Sequence, residues 1–172
     1  MKIFYGKAVY DNKEINAAIS VLKQKSLTLI DGPSVKSLEK KISKLFGKQY
    51  GLMVNSGSSA NLLALASLGL KKGSEVITPT LTFSTTVAPI YQLGLIPHFI
   101  DVGKNTFVAN LSQIKNCINK KTKAIMPTQL NGRICNMDEI ISIAKKNNLF
   151  IVEDAAQALG AKYKGQHAGT FG

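Results

Sequence analysis

The chain has 172 residues, of which 45% are apolar and 19% are charged, so it is long enough and apolar enough for one globular domain with its own core. It contains no apolar run long enough to cross a membrane, and its first 20 residues carry two acids and lack the apolar core of a signal peptide. The formal net charge of +12 comes almost entirely from scattered lysines, which indicates a solvated surface rather than a nucleic-acid interface.

The two cysteines, Cys117 and Cys135, have neither the spacing of a metal site nor that of a redox motif. We interpret them as free thiols in a reducing compartment, and a disulfide between them is the alternative. The sequence therefore predicts a cytoplasmic protein without membrane or nucleic-acid partners, and it predicts no metal site.

The first 49 residues predict two helices. Asp11 and Glu14 form a capping-box pattern at the start of the first helix. A connector over 26–33 leads to a second amphipathic helix over 34–46, which a glycine ends. We interpret residues 1–49 as a helical segment that packs on the domain that follows.

From residue 50 onward, short apolar strands alternate with helices. The predicted strands cover 51–54, 75–78, 96–101, 122–126 and 149–153. The predicted helices cover 62–70, 82–93, 110–119 and 137–147, and 161–166 is predicted as an exposed turn. This alternation predicts an α/β fold of three layers, a mostly parallel sheet with flanking helices. We interpret residues 50–172 as this domain, and its end without a terminal helix or strand predicts that it is incomplete.

An acid pair, Glu153 and Asp154, lies at the end of the last predicted strand. A carboxylate just past the carboxyl end of a parallel strand sits where open α/β sheets hold their ligands. Asp154 is therefore a candidate for holding a cationic group of a bound cofactor, and the alternative is an aspartate that caps the following turn. Gln157 can face the same ligand if the segment turns helically.

A loop of small polar residues, 55–61, joins the first predicted strand to its helix. Around Gly57, Ser58 and Ser59 the backbone can approach a ligand closely, and hydroxyl and N–H groups at a helix N-terminus bind anions. An ordinary serine-rich helix cap has the same appearance. The loop is not a GxxxxGK[ST] sequence, which argues against a nucleoside-triphosphate site of that kind.

Two further segments follow predicted strands. Phe83 lies after the second strand, where an aromatic ring could stack on a flat ligand, and a core phenylalanine is the alternative. The polar segment 129–133 follows the fourth strand, and an ordinary loop is its alternative.

Together these features match the needs of pyridoxal phosphate. Its phosphate requires a helix N-terminus, its ring a flat partner such as Phe83, and its pyridinium nitrogen a carboxylate such as Asp154. Gln157 is placed to hydrogen-bond the phenolic oxygen of the ring.

The sequence resembles the N-terminal part of the DegT/DnrJ/EryC1/StrS family of sugar aminotransferases, which are fold-type-I enzymes that use pyridoxal phosphate. The matching stretches, in the family's order, are 31–33, 53–61, 78–83, 96–101, 130–133 with Met137-Asp138, 152–161 and 163–165. The run Glu-Asp-Ala-Ala-Gln at 153–157, with the glycine and the Tyr-x-Gly that follow it, is highly specific. The resemblance covers essentially the whole chain and implies an incomplete fold-type-I large domain.

The resemblance also implies residue roles. Ser58 and Ser59 would bind the cofactor phosphate, Phe83 would stack on the ring, Asp154 would pair with the pyridinium nitrogen, and Gln157 would contact the phenolic oxygen. Gly57 belongs to the same cofactor-binding stretch.

Two further implications concern substrate and catalysis. Gln129 and Asn131 are the expected substrate contacts, although the family often has histidine where this chain has Gln129. The Schiff-base lysine of the family is expected beyond Gly172, so no catalytic residue is assigned within the chain. Lys162 and Lys164 are too close to the acid pair to be that lysine, and we interpret them as solvated turn lysines.

The activity that the resemblance implies is transfer of an amino group from glutamate to a nucleotide-linked keto sugar, for surface polysaccharides or secondary metabolites. Such enzymes work as homodimers whose sites take residues from both subunits. One alternative is a nucleotide-sugar 3-dehydratase of the same family, which typically has histidine in place of the lysine. Another is a truncated, non-catalytic fragment that binds pyridoxal phosphate.

Overall fold

The structure, a computed structural model, describes residues 6–24 and 29–172 and divides the chain into two units, Met1–Leu38 and Glu39–Gly172. The division lies before the boundary predicted at residue 49, and the packing of residues 1–49 on the following domain stays a prediction. The predicted connector over 26–33 lies partly outside the described residues. Within the described ranges, no helix has both the length and the hydropathy needed to cross a membrane.

The first two helices begin and end close to where the sequence predicts. Helix α1 covers Asn12–Lys23, and its capping box is confirmed: the Asp11 side chain accepts from the N–H of Lys13 at 2.6 Å, and that of Glu14 from the N–H of Asp11 at 2.8 Å. Helix α2 covers Pro33–Leu45. Gly47 follows α2 with a φ of +62°, a backbone conformation that glycine adopts without strain.

A four-stranded sheet organises the second unit. Its strands are β1 (Glu75–Pro79), β2 (Ile96–Ile100), β3 (Thr122–Ile125) and β4 (Phe150–Ile151), in the order β2-β1-β3-β4. Each neighbouring pair is parallel, which confirms the predicted sheet. The carboxyl ends of β1, β3 and β4 therefore meet at one edge, and the segments that follow them lie side by side.

Helices cover both faces of this sheet. They are α3 (Gly57–Ala66), α4 (Ser84–Gln92), α5 (Leu111–Cys117) and α6 (Met137–Asn147). Because side chains alternate along a strand, Val76 of β1 packs in a core cluster with Leu65 of α3 and Ile90 of α4, whereas Ile77 packs in a second cluster with Ile140 of α6. The three-layer arrangement that the sequence predicts is thus confirmed.

Two predicted strands differ from the structure. Residues 51–54 form no strand, and Leu52 is 75% exposed. An apolar run becomes a strand only beside a neighbour, and none of the described strands pairs with it; instead the N–H of Met53 donates to Glu39 Oε1 at 2.7 Å. The predicted buried strand over 149–153 is reduced to Phe150–Ile151, because β4 lies at an edge of the four-stranded sheet, where Phe150 is half exposed.

The predicted turn over 161–166 is a β-hairpin. Strands β5 (Lys162–Tyr163) and β6 (Gln166–His167) pair antiparallel. Lys164 and Gly165 between them both have positive φ, at 49° and 84°, as a two-residue type I′ turn requires. The turn itself is therefore where the sequence predicts it, and the residues beside it form short strands.

Both cysteines are free thiols, as predicted. Cys135 is fully buried in the core between the sheet and α6, and this burial raises the pKa of its thiol. A buried, protonated thiol is chemically inert, so Cys135 acts as a core residue.

Candidate cofactor site

A cavity of about 440 Å³ lies at the edge of the sheet where β1, β3 and β4 end. Its volume is within the range of small-molecule sites in proteins. Its lining brings together residues that are distant in sequence, among them Gly57, Asn61, Phe83, Thr128, Asp154 and Gln157. Four of the six predicted cofactor-binding residues, Gly57, Phe83, Asp154 and Gln157, are therefore at one site.

The backbone of Asp154 is fixed by the segment that continues β3. Its N–H donates to the carbonyl of Pro127 at 3.0 Å, and its carbonyl accepts from the N–H of Gln129 at 2.9 Å. A parallel bridge also joins Asp154 to Thr128. The sheet thus continues by one pairing beyond β4 and sets the carboxylate at the floor of the cavity.

The carboxylate of Asp154 is only 7% exposed, and its two oxygens differ in their contacts. Oδ2 accepts from Thr86 Oγ1 at 2.6 Å and from Asn61 Nδ2 at 3.0 Å. Oδ1 accepts from the N–H of Ala156 at 3.3 Å, which is the turn cap that the sequence offers as the alternative. An aspartate that only capped a turn would use Oδ1 alone. Because side chains of α3 and α4 also donate to Oδ2, the geometry favours a functional carboxylate.

Helix α3 begins at Gly57, earlier than predicted, so the polar loop is its first turn. Ser56 is the N-cap, and its Oγ accepts from the N–H of Ser59 at 3.2 Å. Ser59 Oγ donates to Asn55 Oδ1 at 2.7 Å, whereas Ser58 is exposed. Gly57 lines the cavity and the two serines follow it on the same turn, where the partial positive charge of the helix N-terminus favours an anion.

Phe83 lines the cavity and is 69% exposed, which excludes the alternative of a core phenylalanine. It immediately precedes α4, with an extended backbone at φ −76° and ψ 145°. A large aromatic side chain left exposed beside a cavity has an apolar face available to a flat ligand.

Gln157 also lines the cavity, although the chain after Asp154 does not form the helical turn that the sequence suggests. Its Oε1 accepts from the N–H of Asn131 at 2.9 Å. Asn131 has a φ of +53° in the single 3₁₀ turn Leu130–Gly132, and this turn presents its N–H to Gln157. With the oxygen of Gln157 held, its amide NH₂ is the group oriented for donation to a ligand. The side chain of Asn131 is exposed, and its substrate contact stays a prediction.

Gln129 makes contacts inside the protein that the sequence does not predict. Its side chain is fully buried; Nε2 donates to Glu153 Oε2 at 3.0 Å and contacts Met137 Sδ at 3.3 Å. Oε1 accepts from the N–H of Cys135 at 2.8 Å. These contacts brace the site from inside the protein; Gln129 also lines the cavity, and its substrate contact stays a prediction.

Glu153 is a structural residue that the sequence did not single out. Besides Gln129, its carboxylate accepts from three backbone N–H groups, those of Gly169 at 3.0 Å, Phe171 at 2.6 Å and Gly172 at 3.0 Å. One side chain therefore ties the cavity floor to the segment 169–172. The acid pair was visible in the sequence, but only the fold shows that its two members have different partners.

The two lysines after the acid pair are not part of the cavity. Lys162 is exposed, and the ammonium of Lys164 pairs with Asp138 and lies 5.6 Å from the ring centroid of Tyr163. Among the described residues that line the cavity, none is a lysine. Both lysines are exposed, as predicted; Lys164 lies in the predicted turn, whereas Lys162 lies in strand β5.

Comparison with known proteins identifies the family of this chain. The model of the DegT/DnrJ/EryC1/StrS aminotransferase family matches residues 9–172. The chain belongs to this family. It is 39% identical over 171 residues to the GDP-4-keto-6-deoxy-D-mannose 3-dehydratase of Yersinia pseudotuberculosis, covering 96% of this chain and 43% of that protein. It is 43% identical over 141 residues to the GDP-perosamine synthase of Escherichia coli O157:H7, covering 82% of this chain and 39% of that protein.

A solved structure supports the same conclusion. The crystal structure of GDP-4-keto-6-deoxymannose-3-dehydratase with a trapped PLP-glutamate geminal diamine superposes with a TM-score of 0.89 at 37% identity, covering 95% of this chain and 43% of that one. The fold is therefore that of the fold-type-I large domain, and the cofactor is pyridoxal phosphate. The chain spans less than half the length of the relatives it matches.

The residues present fit this cofactor. The cavity offers a buried carboxylate for a ring nitrogen, an exposed aromatic side chain for a ring face and a helix N-terminus for a phosphate. The individual contacts of Gly57, Ser58, Ser59, Phe83, Asp154 and Gln157 with the cofactor stay predictions.

A substitution at Glu153 tests its bracing role. In Glu153→Gln, an NH₂ group replaces an oxygen that faces only donors, so we expect the full-length protein to lose about 1–3 kcal/mol of unfolding free energy. Urea unfolding followed by circular dichroism measures this. Glu139→Gln is the matched control, because Glu139 is a partly exposed acid on α6 that pairs with Lys115 at 3.1 Å. Equal stability of the two variants would contradict the role.

Proposed function

We propose that the full-length protein is a pyridoxal-phosphate-dependent enzyme that transfers an amino group from glutamate to a keto group of a nucleotide-linked sugar. The observation that carries this proposal is the buried carboxylate of Asp154 at the cavity floor. Side chains hold one of its oxygens, and within the described ranges the other accepts only from the N–H of Ala156 at 3.3 Å. The family description and the GDP-perosamine synthase relative support a sugar substrate and amino transfer.

Each residue of the cavity then has a defined task. When bound, pyridoxal phosphate supplies an electron sink as long as its ring nitrogen stays protonated. Asp154 holds the proton on that nitrogen, Phe83 covers one face of the ring, and Gln157 donates its amide to the phenolic oxygen. The first turn of α3, with Ser58 and Ser59, holds the phosphate. Asn131 contacts the sugar substrate at the rim.

We propose glutamate as the amino donor because the structural relative was trapped with a PLP-glutamate geminal diamine. We also propose a homodimer and a role in building surface polysaccharides or the sugars of secondary metabolites. These assignments concern the whole protein and extend the resemblance of this chain to its relatives.

A second candidate is a nucleotide-sugar 3-dehydratase, which the 39% identity to the Yersinia enzyme over 171 residues favours as strongly. The cofactor cavity would serve either reaction, because both need a protonated ring. The residue that takes the place of the Schiff-base lysine separates them: lysine in the aminotransferase, histidine in the dehydratase. A non-catalytic protein that only binds the cofactor is the third candidate.

Product analysis separates these candidates. The full-length protein is incubated with pyridoxal phosphate, glutamate and GDP-4-keto-6-deoxymannose, and the products are identified by mass spectrometry. We expect an amino sugar in which the keto oxygen is replaced by an amino group, with one 2-oxoglutarate formed per sugar. Loss of the 3-hydroxyl without retention of nitrogen in the sugar would identify the dehydratase, and cofactor binding without any product would identify the non-catalytic protein.

Asp154→Asn tests the central residue. The neutral amide cannot hold a proton on the ring nitrogen, so we expect turnover by the full-length protein to fall at least about a hundredfold. Asp138→Asn is the control, since Asp138 is an exposed acid that pairs with Lys164 in the part of the chain that the structure describes. Near-normal turnover in Asp154→Asn would contradict the assignment of Asp154.

Phe83→Ala tests the stacking role. Loss of the aromatic face should weaken retention of pyridoxal phosphate about fivefold to tenfold, which equilibrium dialysis of the full-length protein measures. The control is Phe99→Ala, which removes a partly exposed phenylalanine from the edge strand β2. If both variants retain the cofactor equally, Phe83 does not stack on it.

A further inference from the structure

Three threonine hydroxyls lead to the buried carboxylate of Asp154. Thr86 Oγ1 is 2.6 Å from Asp154 Oδ2, Thr82 Oγ1 is 2.8 Å from Thr86 Oγ1, and Thr128 Oγ1 is 2.8 Å from Thr82 Oγ1. We call Thr128, Thr82 and Thr86 the threonine chain. Its members come from the segment after β1, the start of α4 and the segment after β3, so it exists only when the sheet edge is assembled.

Counting protons fixes the direction of the threonine chain. An ionised carboxylate only accepts, so Thr86 must give its single hydroxyl proton to Asp154. Thr86 can then only accept from Thr82, and Thr82, having used its proton, can only accept from Thr128. All three hydroxyl dipoles therefore point towards the carboxylate, and each strengthens the next.

The surroundings of the threonine chain make these bonds strong. Thr86 is fully buried and Thr128 is 7% exposed, whereas Thr82 between them is partly exposed. Water therefore competes weakly for the hydroxyl of Thr86, and its hydrogen bond to a charged acceptor is stronger in such surroundings than in water. A second donor, Asn61 Nδ2, reaches the same oxygen at 3.0 Å.

We propose that the threonine chain and Asn61 are positioning residues that hold the Asp154 carboxylate in one orientation and reserve its Oδ1 for the ring nitrogen of pyridoxal phosphate. A carboxylate oxygen held beside the ring nitrogen stabilises the protonated form of that ring through a charge-assisted hydrogen bond. Among the residues that the structure describes, Oδ2 accepts from two side-chain donors and Oδ1 accepts only from the N–H of Ala156 at 3.3 Å, so Oδ1 is the oxygen with capacity for a cation.

This inference rests on the proposed cofactor role of Asp154 and extends it to residues that do not touch the ring. It differs from a purely structural role in one measurable respect. A threonine chain that only filled the interior would affect stability alone, whereas one that positions the Asp154 carboxylate also determines whether the bound ring keeps its proton.

The test uses four variants of the full-length protein. Thr86→Val removes the hydroxyl and keeps the branched shape, and Thr86→Ser keeps the hydroxyl. Thr82→Val breaks the chain one step farther from the carboxylate. Thr78→Val is the matched control, because Thr78 is a fully buried threonine of β1 whose hydroxyl donates to the carbonyl of Met126 at 3.1 Å and lies outside the threonine chain.

Two quantities are measured: the dissociation constant of pyridoxal phosphate, and the NMR chemical shift of its isotopically labelled ring nitrogen when bound. In Thr86→Val we expect binding about tenfold weaker and a shift displaced towards the unprotonated ring. Thr82→Val should show a smaller change in the same direction. Thr86→Ser and Thr78→Val should match the wild type in both quantities.

The outcomes separate the inference from the proposed function. If the wild type binds pyridoxal phosphate with a protonated ring and both valine variants of the threonine chain match Thr78→Val, the inference is wrong and the proposed function stands. If the full-length wild type binds no pyridoxal phosphate, the proposed function fails and the inference fails with it. If Thr86→Val does not fold, an unchanged ring-nitrogen shift in Thr82→Val still overturns the inference.

Discussion

A buried carboxylate needs hydrogen-bond donors around it, and the donors that surround Asp154 come from several of the elements that form the cavity. Burying an ionised group without hydrogen-bonding partners costs several kcal/mol of folding free energy, about as much as the net stability of a small domain. The segment after β3 holds the backbone of Asp154, while α3 and α4 each provide one hydrogen-bond donor to its Oδ2. Two helices and one loop thus meet at a single residue, and the cavity lies beside it.

The adjacent acids Glu153 and Asp154 have different roles, because they lie in an extended segment. Successive side chains of an extended segment point to opposite sides, so Glu153 and Asp154 reach different parts of the fold. Glu153 gathers backbone N–H groups of the segment 169–172 and the amide of Gln129, whereas Asp154 is held by side chains of α3 and α4. Glu153 therefore holds the segment 169–172 in place, and Asp154 faces the cavity.

Local patterns were sufficient to predict much of this fold from the sequence. The capping box of α1, the bounds of α6 and the alternation of strand and helix depend on residues close together in the chain. The segment 51–54 was mispredicted because a strand depends on a neighbour as well as on its own residues. The contacts of Gln129 and the threonine chain could not be predicted, since residue type does not reveal which polar groups meet across loops that follow different strands.

The position of Phe83 has a consequence for the handedness of the chemistry. This side chain lies at the start of α4 and stands exposed at one side of the cavity. A planar ring that rests on it has that face shielded, and only the opposite face remains open to reagents. Bonds would then form and break on a single face, and each new stereocentre would be produced in one configuration.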